Sequence, residues 1–228
     1  MLLGTLLEKV KAALKSPLCL YCDQKLQRTD RHFCQSCEDA LGLRQPQAIL
    51  DTPSLVCHSA VYFNPTVKKL LYGYKFYGQE SREPQLAALL IDYWERVQSQ
   101  LRLHPESVLV VPIPAHHYGK SRVEGFARRF ARHFGYDFRP EALAWQRRVK
   151  PQHTLTEKQA RFANIANGLQ ARKRSLRGYR AIIVIDDLTT TGATLHEASR
   201  ALRHHLAQPH QVDILALAVA KVPLGSHP

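Results

Sequence analysis

The chain has 228 residues, 45% hydrophobic and 22% charged, which excludes a disordered or fibrous protein and allows one full core plus a small appendage. Lysine and arginine number 32 against 19 acids, and the resulting formal charge of +13 points to polyanionic partners such as nucleic acid or phosphorylated metabolites. No apolar run approaches the ~20 residues of a membrane span, and the first residues lack the apolar core and cleavage site of a signal peptide, so a cytoplasmic protein is expected.

Residues 1–16 place Leu2, Leu3, Leu6, Leu7, Val10 and Leu14 at helical spacing with Glu8, Lys9, Lys11 and Lys15 between them. This predicts an amphipathic helix that packs on the chain or, alternatively, lies at the inner membrane face.

Two Cys-x-x-Cys pairs follow, Cys19 with Cys22 and Cys34 with Cys37, separated by eleven residues. Four thiolates in two tight turns are what a tetrahedral structural zinc ion needs in a ribbon, and so short a segment needs such a staple. A redox pair is the rival reading. His32 is surplus to a complete shell, and Cys57, on a predicted strand, reads as core.

The stretch "RQPQAILDTPS" has prolines and no periodicity and reads as a linker. Three parts are therefore expected: a helix over 1–16, a zinc module and linker over 17–50, and a main domain over 51–228.

In the main domain a strand "LVCHSAVYF", a helix "PTVKKLLYGYKF" and a long helix within "SREPQLAALLIDYWERVQSQLR" come first. Then come strand "SVLVVPIP", a helix over 121–134, a short strand near "YDFRP", a long basic stretch, strand "RAIIVID", a helix over 192–206 and strand "QVDILALAVA". The alternation predicts an α/β fold with a mainly parallel sheet flanked by helices.

"AIIVIDDLTTTGATLHEA" carries the clearest chemistry. A parallel sheet binds ligands beyond the carboxyl ends of its strands, so a strand running into Asp186 and Asp187 aims two carboxylates at that crevice. Carboxylates accept from sugar hydroxyls, whereas a glycine turn, a helix start and threonine hydroxyls suit a phosphate dianion. Asp186 and Asp187 are thus candidate ribose and magnesium ligands, and Thr190, Thr191, Gly192, Ala193 and Thr194 a candidate 5-phosphate loop. Mere helix capping accounts for one hydroxyl and for neither acid.

A second strand and loop, "VLVVPIPAHHYGKSRVEGFARRFAR", is the candidate for a pyrophosphate, with Pro112, Pro114 and Arg122 in it. Its Gly119-Lys120-Ser121 also invites a P-loop reading, but Pro114 stands where that pattern needs its first glycine. His116-His117 and His204-His205 have no third ligand at metal spacing.

"IIVIDDLTTTGAT" resembles the phosphoribosyl pyrophosphate (PRPP) motif of the type I phosphoribosyltransferases. Three more features narrow the resemblance to the ComF family: the cysteine module, "VKKLLYGYKFYG" with Lys75-Phe76 and Gly78, and "RRVKPQHTLTEKQARFANIANGL" with Gln152, Leu155, Arg161 and Asn164. One departure stands out, because the family usually shows Arg-Gly-Phe-Asn where this chain has Glu124-Gly125-Phe126-Ala127.

The resemblance implies a phosphoribosyltransferase-like domain behind a zinc ribbon, binding PRPP with Mg2+ and transferring phosphoribosyl to an acceptor that the family leaves unnamed. It also implies that Lys75, Gln152, Arg161 and Asn164 serve the pyrophosphate or a flexible loop, and it implies a place in competence and DNA uptake. A second class stays open: a non-enzymatic accessory of natural transformation that binds single-stranded DNA beside competence proteins.

Overall fold

A computed structural model of the chain describes residues 17–27, 31–45, 48–52, 55–101, 103–115, 122–149 and 158–223. The expected helix over 1–16, the paired His116-His117, the Gly119-Lys120-Ser121 run, and Gln152 and Leu155 lie outside the described residues. The chain divides into two compact units, Met1–Arg44 and Gln45–Pro228.

In the first unit an isolated antiparallel bridge pairs Leu18 with Lys25, and Asp23 turns the chain between them at φ 60. Helix α1, Gln35–Leu41, follows and ends on Gly42, whose left-handed φ of 78 lets its N–H reach back to the Asp39 carbonyl. Phe33 and Leu41 are fully buried, a very small core for such a segment.

The second unit is built on a six-stranded sheet in the order β1-β2-β8-β7-β3-β4. Its strands are β1 (Ala48–Thr52), β2 (Leu55–Tyr62), β3 (Val108–Pro112), β4 (Asp137–Phe138), β7 (Ala181–Thr189) and β8 (Asp213–Lys221). Five are mutually parallel, and β1 pairs antiparallel with β2 at one edge. The stretch expected as a linker is thus partly strand: Ala48–Thr52 lies in register with Leu55–Ser59, and that ladder satisfies its backbone in place of a loose loop.

The central strands read as unbroken apolar runs because both faces are covered. On one face lie α3 (Glu83–Val97) and α4 (Arg122–Phe134). Trp94, Phe126 and Phe130 are fully buried there, each contributing about 1.5–3 kcal/mol of apolar burial. The Trp94 indole N–H donates to Tyr136 Oη at 3.1 Å, which satisfies its one polar atom.

On the other face α6 (Ala193–His205) sets Leu195, Ala198, Ala201 and Leu202 against Leu109, Val111, Ile182, Val184, Ile214 and Ala216. Cys57 belongs to this core, and burial pushes its thiol up to about 12.

The stretch expected to be long and basic carries regular elements among its described residues. It holds strands β5 (Leu143–Trp145) and β6 (Leu169–Ala171), paired antiparallel, and helix α5 (Lys158–Ile165). Arg147 donates to the Asn164 and Ala166 carbonyls at 2.9 and 2.8 Å and so caps the end of α5. Buried Glu197 of α6 accepts from the Leu169 N–H at 3.1 Å and from Arg200, fastening α6 to β6.

Helix α2, Pro65–Phe76, links β2 to α3. Asn64 caps it, its Oδ1 accepting from the Val67 N–H at 2.9 Å, and Pro65 occupies the first turn where no N–H is needed.

Candidate functional site

Strand β7 is longer on one side than on the other. Its pairing with β3 ends at Ile185, opposite Pro112, whereas its pairing with β8 continues through Asp186 and Leu188 to Thr189, opposite Lys221. The two acids therefore stand within the strand rather than beyond it, at the point where the β3 side has fallen away. Strand alternation sends Asp186 and Asp187 to opposite faces.

Asp187 is buried, and its Oδ2 lies 2.6 Å from Lys75 Nζ, on the last turn of α2. Burial would lower the lysine's pKa, but Asp187 and then Asp186 outweigh it and hold Lys75 above its ordinary value.

Asp186 is half-buried and accepts the Asp187 N–H at 2.8 Å. Burial and then the neighbouring Asp187 charge raise its pKa to about 7, against the pull of Lys75 and of that N–H. Its charge also adds to the upward shift of Cys57.

After Thr189 the chain bends through Thr190 and Thr191 to Gly192, whose φ of 76 is left-handed, and α6 starts at Ala193. Gly192 is itself the cap, so no hydroxyl caps the helix. The nearest approach is Thr191 Oγ1, which accepts the Ala193 N–H at 3.4 Å. Arg161 Nη1 donates to Thr190 Oγ1 at 2.6 Å, bringing α5 to the threonine loop. A cavity of about 790 Å³ opens between α5 and α6, lined by Phe162, Ile165, Ala193, His196 and Arg200 among others.

The structure thus brings Lys75 to Asp187 and Arg161 to Thr190, at two points of the continuous stretch from Asp186 to Thr194. Other expected residues make contacts of their own. Pro112 ends β3, the Pro114 carbonyl accepts the Trp145 indole N–H at 3.0 Å, and Arg122 Nη1 donates to the Tyr74 carbonyl at 2.8 Å. The Asn164 carbonyl takes Arg147. His205, on the last turn of α6, bonds the Ala201 carbonyl of its own helix. Of the two departures from the family pattern, Glu124 pairs with Arg128 on its own helix and Ala127 is fully buried.

Next to Lys75 stands an aromatic group of which the sequence marked Phe76 alone. Phe63, Tyr72 and Phe76 form a chain of ring contacts with centroids 6.3 and 5.3 Å apart, and Phe76 and Tyr77 are 67% and 74% exposed. The signal was there: Phe76 falls outside the buried stripe Val67, Leu70, Leu71 and Tyr74.

The first unit holds a separate candidate centre. The Sγ atoms of Cys19, Cys22, Cys34 and Cys37 lie within 4.8 Å of one another. A tetrahedral zinc–thiolate shell needs sulfur separations of about 3.8 Å, so these four could hold a structural ion. The Cys34 N–H donates to Cys19 Sγ at 3.3 Å, and Ser36 together with the Cys37 backbone lowers the Cys34 thiol to about 6. His32 is not a member of the cluster.

No protein-family model matches the chain. It is similar to Competence protein F of Haemophilus influenzae, 27% identical over 216 residues, spanning 89% of this chain and 85% of that protein. That likeness supports assigning it to the ComF family. The α/β architecture with a mainly parallel sheet, and a four-cysteine cluster that suggests a zinc-ribbon module, accord with the expected fold class. Among the described residues no helix is long and apolar enough to cross a membrane.

Proposed function

We propose that this ComF-family chain binds PRPP with Mg2+ at the carboxyl end of β7 and transfers its phosphoribosyl group to an acceptor, in a competence-related role like that named for its relative. The observation that carries the reading is the overrun of β7 past β3. It carries Asp186 and Asp187 past the end of β3 and runs directly into the Thr190–Thr194 loop, with Lys75 held at Asp187 and Arg161 at Thr190.

Each part has a task that its chemistry suits. The threonine hydroxyls and the N-terminal N–H groups of α6 receive the 5-phosphate, and the acids receive the ribose hydroxyls. Magnesium arrives with the substrate, and hard carboxylate oxygens at Asp186 and Asp187 are fitting neighbours for it. Lys75 and Arg161 supply positive charge, and catalysis is chiefly positioning and charge stabilisation. In the first unit the four cysteines hold zinc as a structural staple.

PRPP with Mg2+ should raise the thermal midpoint of the wild-type chain, and a chain carrying Asp187→Ala and Thr191→Ala should lose that protection. Absence of protection in a folded wild type overturns the reading.

The formal charge of +13 favours a second reading, an accessory that binds single-stranded DNA. Its mark is an affinity that falls steeply with salt and is indifferent to PRPP.

A further inference from the structure

We infer that Lys75 is a specificity-determining residue of this site, a built-in counter-ion that shuts bare divalent ions out of Asp187 and yields only to a metal arriving with a diphosphate; this rests on the PRPP reading. The first ground is the contact itself. Asp187 is buried, and among the described residues its ion pair is with Lys75 alone, Nζ to Oδ2 at 2.6 Å. A buried carboxylate without a counter-ion is costly, so the empty chain needs a cation there, and Lys75 supplies it. Asp186 acts on the same ammonium, so one positive charge serves both acids. A divalent ion drawn to Asp187 meets that charge and is repelled by it at short range.

The second ground is what can move. Lys75 stands on the last turn of α2, and the carbonyls of that end are tied to groups outside the helix. Arg82 Nη1 donates to the Lys69 carbonyl at 3.1 Å, the Gln79 N–H to the Gly73 carbonyl at 3.1 Å, and Arg122 Nη1 to the Tyr74 carbonyl at 2.8 Å. A Cβ at Gly73 would collide with the side chains of Gln79 and Arg82, so glycine lets them close on the helix. The backbone around Lys75 is thereby held, whereas its four-carbon stem is flexible and a third of the side chain is open to solvent. The ammonium can change partner without any movement of the fold.

The third ground is chemistry. Mg2+ gives up its water reluctantly and is held by one or two carboxylates together with substrate phosphates. Bare Mg2+ would expel the ammonium with nothing to receive it. A metal–diphosphate complex brings oxygens that do receive it: the pair of Lys75 with Asp187 is exchanged for Asp187 with the metal and Lys75 with the diphosphate. Metal and diphosphate therefore bind together, each weakly without the other.

The test uses the full chain, with Mn2+ followed by electron paramagnetic resonance and with Mg2+ and inorganic diphosphate as thermal-shift probes. In the wild type, Mg2+ alone and diphosphate alone should leave the thermal midpoint unchanged, and the two together should raise it. Lys75→Met should bind Mn2+ alone roughly tenfold or more tightly than the wild type, and Mg2+ alone should raise its midpoint. Lys75→Arg, which keeps the charge, should still exclude Mn2+. Lys69→Met, which removes an exposed charge from the same helix, should leave Mn2+ binding at the wild-type level, and adding Asp187→Asn to Lys75→Met should abolish the gain. The inference is overturned if Mg2+ alone protects the wild type as well as Mg2+ with diphosphate does, or if folded Lys75→Met gains no affinity for Mn2+. It is also overturned if Lys69→Met gains as much. The wild-type measurement decides by itself should Lys75→Met fail to fold. If PRPP with Mg2+ protects the wild type while Lys75→Met gains no metal, the counter-ion role fails and the PRPP reading stands. If diphosphate with Mg2+ protects, Lys75→Met takes Mn2+, and PRPP adds nothing beyond diphosphate, the PRPP reading fails and the counter-ion role stands.

Discussion

The two candidate centres are assembled in opposite ways. Cys19, Cys22, Cys34 and Cys37 come from one short stretch and meet through a turn and the start of one helix. Lys75, Arg161, Asp186 and the threonine loop come from distant stretches, and only the packing of α6 on the sheet, of α5 on α6 and of α2 on α3 brings their elements together. A centre of the first kind has little core beneath it and depends on what it binds. A centre of the second kind is held by the core and can keep its geometry without a ligand.

Removing metal from the first centre is the sharpest way to break that comparison. Zinc bound by four thiolates contributes on the order of 10 kcal/mol of folding free energy to so small a unit. We expect one zinc ion per chain by native mass spectrometry. Cys34→Ser or strong chelation should abolish amide protection over residues 17–45 while β3 and β7 keep theirs in hydrogen exchange. Equal protection in metal-free and metal-loaded chains overturns the staple.

The second centre should respond to pH instead. Asp186, raised to about 7 from an ordinary value of 3.8, binds its proton more tightly in the folded than in the unfolded chain. Its contribution to stability is therefore complete below the unfolded value and is lost as pH rises from about 4 through about 7. Asp186→Asn should flatten that part of the stability profile in urea titrations. If PRPP with Mg2+ needs the ionised carboxylate, affinity should climb over pH 6 to 8 in the wild type and show no such climb in Asp186→Asn. A parallel pH profile in wild type and variant removes Asp186 from the binding event.

What was legible in the sequence follows the same division. Cysteine spacing announces the first centre because its ligands are local, and an apolar run ending in two acids announces β7 because a doubly covered strand has no polar face. The contact of Lys75 with Asp187 could not be read, since it depends on where α2 lands. Strand β1 was hidden by Pro46 and Pro53 on either side and by pairing that only β2 supplies. The fold of the basic stretch was obscured because Arg147, which reads as surface charge, works as a helix cap.

The smallest expected effect concerns Glu124, where sequence raised a doubt that structure redirects. A departure from the family pattern beside a proposed pyrophosphate loop suggests lost affinity if the side chain reaches the ligand. Glu124 instead pairs with Arg128 one turn along α4, and both side chains are more than a third exposed, so the pair contributes at most about 1 kcal/mol. Arg122, two residues earlier, is held by the Tyr74 carbonyl, and Ala127 is packed in the core. Helix α4 therefore acts as a brace between α2 and the sheet. Replacing Glu124 with arginine should shift stability by less than about 0.5 kcal/mol, as surface exchanges usually do. PRPP affinity, measured by calorimetry, should stay within about threefold, equivalent to well under 1 kcal/mol. A tenfold gain in affinity would mean that position 124 faces the ligand after all, and that α4 belongs to the site rather than to its support.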